Sequence, residues 1–125
     1  MRIHNAIICD QVRKEDTGKH LLLGVYPTDI LVSDFPATII LVLWMQLHMD
    51  RNGQFDVEFQ IRKDRKTISR YKATMSVKDY LIPQTFALPP APINIDGECT
   101  LSFQIREKNK RWKMVKKIPV KKNPQ

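Results

Sequence analysis

Cysteine, glycine and histidine are scarce in this chain, with two, four and three respectively among 125 residues. Each scarcity excludes something. Cys9 and Cys99 are too few and too far apart for a disulfide framework or a zinc site, so free thiols are expected. Cys9, Trp44 and Cys99 stand in the order of an immunoglobulin disulfide and its tryptophan but lack the compact spacing. Gly18, Gly24, Gly53 and Gly97 never cluster, so no phosphate-cradling loop exists, and no Gly-x-Ser-x-Gly elbow occurs. His4, His20 and His48 form no pair at zinc-ligand spacing. His48 with Asp50 is one edge of a metal site that has no visible remainder. Long apolar runs are also missing. The longest, Ile39–Met45, has seven residues, whereas a membrane span needs roughly 20. Arg2, His4 and Asn5 turn the N-terminus polar too soon for a signal peptide. The expectation is a reduced, cytoplasmic, soluble domain with no cofactor, no metal, no membrane partner and no evident small-molecule substrate.

Cysteine catalysis fares no better. A strand places Asp10 on the face opposite Cys9, and its charge disfavours a thiolate; Cys99 lies in line with Leu101 and Phe103. Both cysteines read as small core residues. Asp56 and Glu58 line the polar face of a strand, where a half-buried strand should carry them. A non-enzymatic protein is expected.

What the chain does have is alternation. Phe55, Val57, Phe59 and Ile61 fall on one face of Gln54–Arg62, and polar residues fall on the other. Asn52-Gly53 before it predicts a tight hairpin to the strand Thr38–Met49, which is apolar on both faces. The same test predicts strands over Ile3–Val12, over Leu21–Tyr26 continuing past Pro27 into Ile30–Val32, over Thr67–Val77, over Glu98–Arg106, and from Arg111 to about Val120. The Pro-rich connection 83–92 opposes regular pairing, with a short strand allowed around Thr85–Leu88. Ser76–Leu81 is at most a helical turn. The whole chain, 1–125, therefore reads as one all-β domain, a single antiparallel β-sandwich (immunoglobulin-like or C2-like) of seven or eight strands. Its expected core is Ile7, Cys9, Leu23, Val25, Leu41, Leu43, Phe55, Val57, Phe59, Leu101 and Phe103.

Four short motifs in the first half are Ile7-Ile8-Cys9-Asp10, Gly18-Lys19, Leu23-Gly24-Val25-Tyr26, and Phe35-Pro36 before the long apolar strand. Together they resemble a family of small bacterial and phage-associated proteins, defined only as a domain of unknown function. The resemblance covers roughly the first fifty residues. It implies a β-sandwich and carries no catalytic or binding residues with it.

Charge is the one feature that points outward. From Met1 to Ile105, twelve Lys/Arg balance twelve Asp/Glu; from Arg106 to Gln125, nine Lys/Arg face the single acid Glu107. The net charge of +8 is thus a property of one basic end, residues 106–125. Two readings stay open. Arg106, Lys108, Lys110, Arg111, Lys113, Lys116 and Lys117 could contact a nucleic-acid backbone, with Trp112 stacking on bases. Alternatively, the lysines protect an exposed edge strand and Trp112 anchors it in the core, sharing parity with Met114, Ile118 and Val120. Lys116 interrupts that series and suggests a bulge or an edge. The over-apolar strand adds a self-association face at Ile40, Val42 and Trp44. The leading function is a small intracellular interaction or accessory module with a protein partner or a second copy; the alternative is electrostatic, sequence-tolerant nucleic-acid binding.

Overall fold

A computed structural model describes residues 1–124. Gln125, the last residue of the expected basic tail, lies outside the described residues. These contain ten strands and no helix: β1 (Arg2–Lys14), β2 (His20–Val25), β3 (Ile30–Val32), β4 (Ala37–His48), β5 (Gly53–Lys63), β6 (Lys66–Val77), β7 (Gln84–Ala87), β8 (Ala91–Ile95), β9 (Cys99–Glu107) and β10 (Lys113–Lys122).

Two five-stranded sheets result. The first is antiparallel and runs β2-β1-β4, with β7 and β8 both pairing β4. The second runs β3-β10-β9-β5-β6. It is mixed rather than antiparallel, because Ile30–Val32 of β3 lie parallel to Val120–Lys122 of β10. The extra strands over the expected seven or eight have two causes. The chain does not continue from β2 through Pro27 as one kinked strand; it crosses to the other sheet and starts β3 there. The Pro-rich connection also pairs after all. Pro89-Pro90 interrupts it, but β7 and β8 on either side both bond to β4, and Leu88 N–H donates to the Leu43 carbonyl between them (2.9 Å). Proline is tolerated because this is a sheet edge.

Asn52-Gly53 does not close a hairpin. β4 belongs to the first sheet and β5 to the second, so residues 49–52 are a crossover between sheets. Gly53 alone takes a positive φ (135°) there, Met49 is buried, and Asn52 spends its side chain on another loop. The true tight hairpin is β5–β6, where Lys63 faces Lys66 and Asp64 adopts φ 52°.

Both sheets contribute to one core. Ile8, Leu41, Leu43, Met45 and Leu47 meet Phe55, Val57, Phe59, Ile61, Leu101, Phe103, Ile105, Ile118 and Val120. Each such side chain contributes about 1.5–3 kcal/mol when fully buried. Of the expected core, Cys9, Leu41, Leu43, Phe55, Val57, Phe59, Leu101 and Phe103 are buried. Ile7 and Leu23 are only half-buried, and Val25 is exposed. In β1 the inward residue is Ile8, which lies opposite Leu43, so its neighbour Ile7 faces outward with Trp44.

The motif residues Asp10, Gly24 and Tyr26 meet in space. Gly24 has φ 67°, and a Cβ there would collide with the Asp10 carboxylate. That vacancy lets Asp10 accept a 2.5 Å hydrogen bond from the Tyr26 hydroxyl. Burial and the adjacent Asp10 push the Tyr26 phenol up to about 12.

Candidate binding surfaces

The seven basic-end residues do not share one surface. Arg106 projects from the outer face of β9 and pairs with Glu58 (3.4 Å). Lys110 pairs with Glu107 (2.6 Å), and the Lys113 ammonium donates to the Met1 carbonyl. Lys108 and Arg111 are exposed in the turn after β9. Lys116 faces Phe103 and Lys117 faces Ser102, so these neighbours stand on opposite faces of β10.

Trp112 is not a core anchor. The pairing of β10 with β9 shifts between Met114 and Lys116, the bulge that Lys116 suggested. A bulge inserts one unpaired residue and reverses the parity beyond it. Ile118 and Val120 therefore point inward while Met114 pairs with outward Gln104, and Trp112 stands outside. There the indole ring meets two guanidinium groups, Arg106 at 4.2 Å and Arg70 at 5.7 Å from the ring centroid. Those arginines come from β9 and β6, on either side of β5, so Trp112 straps the outer face of the second sheet.

Of the self-association residues, Val42 is only 5% exposed within the single chain, and Trp44 is half-buried with its indole N–H donating to His20 Nδ1 (2.9 Å). Ile40 alone presents a large apolar surface, 57% exposed beside Pro92. Val42 lies in a hollow on the outer face of β4, walled by the β1–β2 hairpin and by Pro89-Pro90.

Cys9 and Cys99 are free thiols. Burial raises both above the ordinary thiol value. The Asp10 charge adds to this for Cys9, whose Gln11 backbone contact pulls the other way, and Asp64 adds to it for Cys99 against Lys63. Neither is poised as a nucleophile. His48 stacks on His4 (5.1 Å between centroids), while Asp50 turns to Arg51 (2.7 Å). Among the described residues, no three His, Cys, Asp or Glu side chains gather as metal ligands do.

The sequence reading missed a groove. Among the described residues β6 pairs only with β5, and β7 and β8 pair only with β4, so one flank has two bare strand edges facing each other. Between them runs a cleft of about 480 Å³ whose lining includes Val57, Phe59, Phe86 and Leu88 on its apolar side and Ala73 and Met75 from β6. It continues past Tyr71 into a second hollow of about 260 Å³ against β8. Phe59 and Phe86 meet edge to face across it (5.5 Å). Ala73 makes the room: it pairs with buried Val57 and so faces inward, yet it is exposed.

No family model matches the chain, and no curated protein matches it.

Proposed function

We propose that this chain is a small, non-enzymatic interaction module, a β-sandwich of immunoglobulin-like or C2-like kind, that takes an extended segment of a protein partner along the β6/β7–β8 groove. The observation that carries this reading is the pair of unpaired edges bordering an apolar cleft. An added strand gains main-chain hydrogen bonds from an edge, and its alternate side chains drop into the cleft toward Phe59, Phe86 and Leu88. The unpaired, partly buried thiols support an intracellular location, where such cysteines stay reduced.

Selection of random peptides displayed on phage against the protein tests the reading. Binders should slow amide exchange along β6, and Ala73→Arg should abolish their binding without moving the denaturation midpoint, because Ala73 is exposed. Binders that ignore Ala73→Arg, or that protect β10 instead, would sink it.

A further inference from the structure

At the end of the molecule where β4, β6 and β9 finish, three connections are tied together. Asn52 Oδ1, in the 49–52 crossover, accepts from the Tyr80 N–H (2.8 Å) of the 78–83 loop. Arg51 beside it reaches Glu107 (3.8 Å), which opens the 108–112 turn and also holds Lys110. The 78–83 loop is braced internally too. The Asp79 carboxylate accepts from Leu81 N–H (3.1 Å), and the Asp79 carbonyl accepts from Ile82 N–H (3.4 Å). The Gln84 amide bonds the carbonyls of Asp79 and Ile82.

Those bonds leave three consecutive apolar side chains outside: Tyr80 (41% exposed), Leu81 (72%) and Ile82 (57%). Isolated exposed leucines are ordinary, but a contiguous apolar tip on a braced loop is not. With the N–H groups of Tyr80, Leu81 and Ile82 and the Ile82 carbonyl all bonded within the protein, the tip carries few free backbone donors into a poorly hydrated medium. Around the tip Asp50 is paired with Arg51 and Glu107 with Lys110, while Asp79 accepts a backbone N–H and keeps its single negative charge. Among the described residues, exposed Lys78, Lys108 and Arg111 have no ion-pair partner.

We infer that this end docks on an anionic bilayer, with Tyr80, Leu81 and Ile82 entering the headgroup–acyl boundary and Lys78, Lys108 and Arg111 lying against the headgroups. The inference is independent of the groove. Charge complementarity, three unpaired cations against the one unpaired carboxylate of Asp79, selects an anionic surface, and the composition of the tip selects lipid over protein. Protein hot spots favour Trp, Tyr and Arg set in matching pockets, with Leu under-represented. An exposed Leu-Ile pair needs no matching pocket in a bilayer, where burial of apolar area and attraction to anionic lipid act together.

Co-sedimentation of the full chain with vesicles decides it. Binding is expected to equimolar phosphatidylcholine–phosphatidylserine vesicles and to be lost on phosphatidylcholine alone. K108S/R111S should weaken it by about 25-fold, at roughly fivefold per cation. L81S/I82S should weaken it at least tenfold, and both variants should keep the parent's thermal midpoint. Three results would overturn the proposal: no sedimentation with the anionic vesicles, sedimentation indifferent to L81S/I82S, or a parent dimer that L81S/I82S dissolves, which would give the tip to a second copy. Capture by polyglutamate without vesicle binding would give it to an acidic protein and would overturn the proposal equally.

Discussion

The two flanks of this molecule treat their sheet edges differently. On one, β10 pairs with β3 only over Val120–Lys122, and the edge left over from Lys113 to Pro119 carries a bulge at Val115, Lys116, Lys117 and Pro119. Each of those is a known guard against edge-to-edge association. On the other, β6 pairs regularly with β5 from Ser69 to Val77 and leaves its outer edge bare beside an apolar cleft. Its basic residues Arg70 and Lys72 share the outer-face parity, alternating with Tyr71, Ala73 and Met75, and of the two only Lys72 borders the cleft. One chain thus guards one edge and leaves another open.

Four changes break or sharpen that contrast. Phe59→Ala removes the aromatic that both floors the groove and spans it to Phe86, and should cost about 3–5 kcal/mol in denaturant unfolding. A loss below about 1 kcal/mol would mean the open flank is not held through this residue. Trp112→Ala releases the strap joining β6 to β9 and should cost about 1–2 kcal/mol, the sum of two cation–π contacts, while the protein stays folded. A loss as large as that of Phe59 would restore Trp112 to the core.

On the guarded flank, the combined variant Lys116→Val, Lys117→Thr and Pro119→Val should shift stability by no more than about 1 kcal/mol yet associate on concentration, as light scattering would report. A monomeric variant would show that the guards are incidental. The smallest effect concerns Tyr26, near the start of the crossing to β3. Its phenol is raised from 10.0 to about 12 in the folded protein, so the stability it contributes is whole below pH 10 and drains away as pH rises toward 12. Tyr26→Phe should flatten the fall of the thermal midpoint across that window. An identical fall in parent and variant would remove the Asp10 contact from the account.

Legibility in the sequence followed the range of the interactions involved. Phe55, Val57, Phe59 and Ile61 alternate with polar residues, so their burial could be read directly, as could that of Leu101 and Phe103. Ile7-Ile8-Cys9 offers apolar residues at both parities, and only pairing with Leu43 selects Ile8. Asn52-Gly53 marks a reversal but not whether the next strand joins the same sheet. The bulge was visible at Lys116, yet its effect on Trp112 required counting through the extra residue. The groove had no local signal beyond a small Ala73 between Tyr71 and Met75, because its walls lie far apart in the chain. Tyr80-Leu81-Ile82 is plain as an apolar triple; its exposure depends on the bonds of Asp79, Gln84 and Asn52.

Val115 is the unpaired residue of the β10 bulge, one residue of slack between two halves of a strand that are each already in register with β9. Deleting it would make Met114 and Lys116 consecutive while they keep Gln104 and Phe103 as partners, so Trp112 and Met114 would stay outside and Ile118 and Val120 inside. The hairpin would lose only its kink, and with the kink one guard of the exposed edge. An inserted residue has no such slack to enter and would enlarge the bulge or turn one half of the strand over. Among descendants of this chain, a shortening within residues 113–117 should therefore be commoner than a lengthening there.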